Sequence, residues 1–130
     1  MKTFVDTSGL YALLDRDDAF HTRASEWLVS TGFQGLHTHS YVVVEMVALV
    51  QRRLGTEAVS YLVDDLLPPI ELTVVDEHLH LLSNAQFMSS LDRKLSYVDR
   101  VSFQFMRREK ISRAFSFDRH FETEGFELVC

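Results

Sequence analysis

The sequence predicts an α/β domain of three layers, with helices on both sides of a central parallel sheet of about five short strands. Three observations predict it. Short apolar runs recur along the chain, and longer stretches with helical spacing lie between them. Two of those runs, the first and the fourth, stop on an acid, Asp6 and Asp118. At 130 residues, with 46% apolar and 25% charged residues, the chain reads as one domain spanning 1–130. A chain of this size buries roughly two-thirds of its unfolded surface, enough for a core without covalent staples.

The elements follow in order. Lys2 to Asp6 is the first strand, and Ser8 to Leu14 a short helix after a tight turn at Gly9. Asp15 to Asp18 is a polar break, with Asp18 placed to cap a helix over Ala19 to Val29. Phe20, Ala24, Trp27 and Leu28 share one side of it. Gly32 to Gly35 is a turn and Leu36 to His39 the second strand. Ser40 opens a long helix through Leu54; its valines favour a strand, but its length and the Gly55 that follows decide for helix. Thr56 is expected to cap a helix from Glu57 to Leu67, which Pro68-Pro69 stops. Ile70 to Val75 is the third strand, and Asp76 caps a helix through His78, Leu82, Ala85 and Met88. After a polar loop over Ser89 to Leu95, a helix beginning at Ser96 or Val98 carries Asp99 and ends among Arg107, Arg108 and Lys110, which suit the helix dipole. Ala114 to Phe117 is the fourth strand, Glu122 to Gly125 a turn, and Phe126 to Val129 a fifth short strand.

Composition narrows the function classes. One cysteine permits no internal disulfide and fits a reducing, cytoplasmic setting. Asp6 interrupts any secretory apolar segment, and no apolar run approaches the ~18 residues of a membrane span. The net charge of −6 runs against phosphate binding of the usual basic kind. It does so less if several acids share a cation site, because each divalent ion adds two positive charges where a phosphate would lie.

Four acids stand out by context. Asp6 ends one apolar strand and Asp118 another. Glu45 sits mid-helix in the most apolar segment, with Tyr41, Val42, Ala48 and Leu49 three or four residues away. Leaving such a carboxylate buried and unpaired costs several kcal/mol, so it pairs, protonates or binds a cation. Asp99 lies in a first helical turn, where backbone N–H groups favour an anion. Strand alternation puts Ser116 on the side of Asp118, while Thr7 and Ser8 adjoin Asp6. These hydroxyls are candidates to orient carboxylates or water. Each acid also has a plain reading: a helix cap for Asp6, an ion pair with Arg52 for Glu45, a first-turn acid for Asp99, turn chemistry for Asp118. What favours function is the joint pattern, since a parallel sheet gathers strand-end and helix-start residues along one edge.

The order Val5-Asp6-Thr7-Ser8, then Glu45 in an apolar helix, then Leu95-Ser96-Tyr97-Val98-Asp99, then Phe117-Asp118-Arg119-His120-Phe121 resembles the PIN-domain ribonucleases, and most of all the VapC toxins of VapBC toxin–antitoxin pairs. The resemblance covers essentially the whole chain. It implies metal-dependent endoribonuclease activity, with water attacking the phosphodiester and a 5′-phosphate left behind. Asp6, Glu45, Asp99 and Asp118 would then be catalytic and metal-binding, with Thr7, Ser8 and Ser116 in support. Hard Mg²⁺, or Mn²⁺, suits carboxylate and water ligands. The resemblance also implies an RNA substrate, a small VapB-like antitoxin that covers the site, and a homodimer. Tyr11, Phe20 and Trp27 would serve such surfaces or the core. Arg93, Lys94, Arg100 and Arg119 are candidates to track the RNA backbone, as are Arg107, Arg108, Lys110 and Arg113.

Rival readings carry sequence arguments of their own. The same fold could be a non-catalytic RNA- or protein-binding module, against which the full set of four acids argues. A phosphoacceptor receiver domain would need an acid pair near the first strand and gives Glu45 no task. A haloacid-dehalogenase-like phosphatase would need an acid where Ser8 stands. His37-x-His39 and His78-x-His80 lack a cysteine or a shared face to complete a zinc site.

Overall fold

The computed structural model describes residues 1–130. Five strands form one parallel sheet in the order β3-β2-β1-β4-β5: β1 Thr3–Val5, β2 Leu36–His39, β3 Glu71–Thr73, β4 Arg113–Phe115 and β5 Glu127–Leu128. Seven helices connect them: α1 Thr7–Leu14, α2 His21–Thr31, α3 Ser40–Leu54, α4 Thr56–Tyr61, α5 Glu77–Ser89, α6 Tyr97–Glu109 and α7 His120–Thr123. A single π-type turn, Leu62–Leu66, prolongs α4. The predicted three-layer α/β/α class and five-stranded parallel sheet are the observed ones.

The two faces of the sheet are written in alternate residues. Phe4 packs on Phe105 of α6, Phe121 of α7 and the ring of His39. Phe115, one strand over, points the other way and stacks on Trp27 of α2 at 4.5 Å. Crossovers between parallel strands carry the chain from β1 through β2 to β3 in one direction and from β4 to β5 in the other. The order therefore reverses between β1 and β4, and a crevice opens beyond their carboxyl ends.

His39 fixes the start of α3. Its Nδ1 accepts from the backbone N–H groups of Tyr41 and Val42, and its Nε2 lies 2.9 Å from the Ser102 hydroxyl of α6. Since Nδ1 accepts, Nε2 carries the proton and donates. The ring is wholly buried, and burial pushes its pKa down to about 3. His37 lies beside Glu71, and His80 meets the Tyr41 and Tyr97 hydroxyls, so the two histidine pairs occupy separate environments.

Several expected boundaries move, each for a local reason. Asp18 does not cap a helix at Ala19: its carboxylate accepts from Phe20 N–H and closes a turn, so α2 begins two residues later. Thr56 is the first residue of α4 rather than its cap, because Gly55 at φ 92° turns the chain there. The third strand shortens to Glu71–Thr73, since Val75 N–H bonds to the Ser40 hydroxyl instead of a strand. The fourth stops at Phe115, freeing Ser116 to Asp118 from the ladder. The turn expected at Glu122 is the end of α7. Asp76 does cap α5, accepting from Leu79 N–H at 2.8 Å. Gly9 lies within α1 rather than in a turn, and its role is close packing. A Cβ there would meet the Phe115 carbonyl oxygen at 2.5 Å.

Candidate metal-dependent nuclease site

Asp6 is the last residue before α1, yet its side chain makes no capping bond to that helix. It turns instead toward β4. The Ser116 hydroxyl donates to its Oδ2 at 2.8 Å and the Ser8 hydroxyl to the same oxygen at 3.1 Å. Ser8 in turn accepts from Phe117 N–H, and Ser116 from Asp118 N–H. Two serines more than a hundred residues apart thus fasten the start of α1 to the end of β4 and aim Asp6 at the crevice.

The other acids are held in the same manner. Thr7 donates a short hydrogen bond of 2.5 Å to Glu45 Oε1, tying α1 to α3. Ser96 and Asp99 form a capping box at the start of α6. Asp99 N–H donates to the Ser96 hydroxyl, and Asp99 Oδ2 accepts from Ser96 N–H at 2.9 Å. Asp118 Oδ1 accepts from His120 N–H at 2.9 Å and lies 2.7 Å from its Nδ1. The plain readings of Asp99 and Asp118 as cap and turn residues are therefore right for one oxygen of each. Among the hydrogen bonds of the chain, the second oxygens of Glu45, Asp99 and Asp118 have no donor.

All four acids line one cleft of about 460 Å³, together with Thr7 and Ser8. Their charges act on one another. Burial, then the negative charge of Asp99, raises the Asp6 pKa to about 7, and its hydroxyl and amide donors offset this only in part. Burial also raises that of Asp99, with Asp118 and Glu45 adding to it. None of Asp6, Glu45 and Asp99 has an arginine or lysine partner, and Asp118 pairs only with His120. An acid set that lacks balancing cations and keeps free oxygens suits a hard divalent ion. No three acidic or histidine side chains converge closely enough to hold an ion by themselves, so water would complete its shell, as suits Mg²⁺.

The basic candidates divide. Arg100 is not available to RNA. It is buried, donates to the Ser90 carbonyl at 2.8 Å and lies 3.8 Å from Glu124, bracing the loop before α6. Arg107 pairs with Glu124, Arg108 with Asp76, and Arg113 reaches the Met1 sulfur. Arg93, Lys94 and Lys110 are exposed, as is Arg119, 3.6 Å from Glu122. Trp27 is partly buried and packs against the core through Phe115, whereas Phe20 is 38% exposed at the cleft rim and stacks on Phe117 at 4.4 Å. Tyr11 and Arg53 also line the cleft. In sequence, Tyr11 reads as a core or partner-facing residue, and Arg53, at a helix end, as a dipole complement with no role at the site.

Comparison with known proteins identifies the family of the chain. The family model described as PIN domain matches residues 3–126. The chain is 32% identical over 132 residues to the 23S rRNA-specific endonuclease VapC20 of two strains of Mycobacterium tuberculosis, covering 97% of this chain and 96% of that one. The crystal structure of VapC20, described as a sarcin–ricin loop cleaving toxin, superposes with a TM-score of 0.86 at 29% identity, over 96% of both chains. FitAcB from Neisseria gonorrhoeae shares the fold, with a TM-score of 0.72 at 14% identity over 97% of this chain and 95% of that one. On the match along nearly its whole length, the chain belongs to the PIN-domain family, in its VapC branch.

Proposed function

We propose that this chain is a divalent-metal-dependent endoribonuclease and the toxin of a toxin–antitoxin pair. The observation that carries the reading is the cleft in which Asp6, Glu45, Asp99 and Asp118 gather without balancing cations, each with one oxygen held by a protein donor. Asp6, Asp99 and Asp118 would hold the ion, Mg²⁺ or Mn²⁺, and Glu45 would hold a second ion or a water. When bound, the ion would supply positive charge for the scissile phosphate and acidify a water. Attack of that water on phosphorus, with the P–O3′ bond breaking and the 3′-oxygen leaving as a protonated hydroxyl, would leave a 5′-phosphate on the product.

The chain's own residues do the positioning. Ser116 and Ser8 orient Asp6, Thr7 orients Glu45, and the Ser96 N–H orients Asp99. Because one oxygen of each carboxylate is tethered, the free oxygens keep their directions without an ordering cost at the moment of binding. The net charge of the cleft opposes RNA until a cation is bound, so substrate and metal binding should reinforce one another.

The 23S rRNA specificity of VapC20 makes that RNA, and its sarcin–ricin loop, the first substrate to test. A VapB-like antitoxin and a homodimer complete the reading, with exposed Phe20 offered to a partner. No helix is long and apolar enough to cross a membrane. A cytoplasmic site of action is part of the reading because the proposed RNA substrate lies there. Expression in a bacterial host should arrest growth, and purified protein with Mg²⁺ or Mn²⁺ should cut the loop RNA. Asp118→Asn should abolish both effects, and a chelator the second. Arrest that persists in Asp118→Asn, or metal-loaded protein that cuts no RNA, would favour a binding module instead.

A further inference from the structure

Six carboxylates line the cleft and only one cationic side chain does, Arg53. It lies in the last turn of α3 on the same stripe as Glu45 and Leu49, four residues apart in each step, and all three line the cleft. The guanidinium sits over the ring of Tyr11, 5.6 Å from its centroid, and that ring is itself packed into the core. The other arginines near the site are occupied. Arg23 donates to the Cys130 carbonyl, Arg100 to the Ser90 carbonyl, and Arg119 lies beside Glu122. Arg53 takes part in none of the chain's ion pairs, although Asp15 lines the same cleft. A guanidinium that lies over an aromatic face, interacts with the Tyr11 hydroxyl and has no carboxylate partner keeps donors for a planar oxyanion.

We propose that Arg53, held on Tyr11 at the mouth of the acid cleft, binds a phosphate of the RNA that flanks the scissile one. Eight residues of helix separate it from Glu45, roughly 12 Å along the axis. That distance puts Arg53 beyond the reacting phosphate and along the strand on one side of it. Its contact is therefore made equally in the ground state and the transition state. It tightens binding without lowering the barrier from the bound state. A backbone phosphate also carries no base identity, so Arg53 sets register along the strand and leaves sequence choice to other contacts.

This inference rests on the nuclease reading, and the test separates the two. Binding of a sarcin–ricin loop RNA oligonucleotide is measured by fluorescence anisotropy over a range of salt, in the Asp118→Asn background that does not cut. Adding Arg53→Met, which keeps the apolar stem on Tyr11, should weaken binding about tenfold and reduce the slope of log affinity against log salt by about one. Arg53→Lys should restore the slope and part of the affinity, because a point charge replaces the planar fork. In otherwise unaltered protein, Arg53→Met should raise KM about tenfold with kcat unchanged. Unchanged affinity in Arg53→Met, or weaker binding with an unchanged salt slope, would overturn the assignment of Arg53. If unaltered protein fails to cut while the binding comparison holds, the nuclease reading falls and the phosphate contact stands.

Discussion

Asp6 has hydroxyl and amide donors around it and no cation, and its protonation follows from that. In the folded chain it holds its proton up to about pH 7, against 3.8 for a free aspartate. Between those values the folded state binds more protons than the unfolded one, so stability falls as pH rises from about 4 to 7 and then levels. The loss is on the order of a few kcal/mol. Asp6→Asn removes the charge and keeps the shape. Thermal melts should show the variant more stable than its parent at pH 8 and nearly equal to it at pH 4. Its RNA cleavage should fall by more than the 10–100-fold typical for loss of a group that merely orients a metal ligand. A variant less stable at pH 8 would contradict the buried, unpaired carboxylate. The acids were legible in the sequence because each sits where an acid is out of place, at the end of an apolar strand or within an apolar helix. Arg53 and Arg100 were not legible. A basic residue on a helix looks the same in sequence whether it lines a cleft or braces a loop, and only packing tells the two apart.

At the scale of elements, the junction of β2 with α3 depends on neutral His39. Its ring keeps the free base down to about pH 3, against 6.5 when exposed. The stability it contributes is present above about pH 6.5 and is lost as pH falls from there toward 3, since the unfolded chain takes up a proton that the folded chain refuses. This slope opposes that of Asp6 between about pH 4 and 6.5, so the parent protein shows only their difference. His39→Ala should cost about 2–4 kcal/mol at pH 7, from the lost cap and the cavity left beside Phe4. Urea melts at a series of pH values should show a flatter acid limb in the variant. Persistence of the full acid-dependent loss in His39→Ala would show that another group governs it. The element order and the three layers were legible because helical and strand periodicities alternate cleanly. Strand ends were not, because they depend on where a partner strand stops. Apolar Val74-Val75 continues the pattern of β3, yet the Ser40 hydroxyl takes the N–H that a longer strand would have paired. The histidine cap escaped notice because His39 reads as the last residue of a strand.

At the scale of the whole molecule, the proposed ion site lies where the sheet reverses between β1 and β4, so on that proposal metal, proton and fold form one linked system. A divalent ion in the cleft would compete with the proton on Asp6 and bind only the folded state. Millimolar Mg²⁺ should therefore raise the melting temperature more at pH 8 than at pH 6, and Asp6→Asn should reduce the increase at both. Equal shifts at the two pH values would put the ion elsewhere. The same reversal has a consequence for biosynthesis. Asp6 is made almost at once, but the Ser116 that aims it and the Asp118 that completes the set belong to the last quarter of the chain. Pairing of β1 with β4 must span more than a hundred residues, a slow, non-local closure. A ribosome that stalls or aborts before β4 releases fragments with no assembled cleft. On the nuclease reading, an interrupted translation product would lack Ser116 and Asp118 and so have no complete acid set with which to cut RNA.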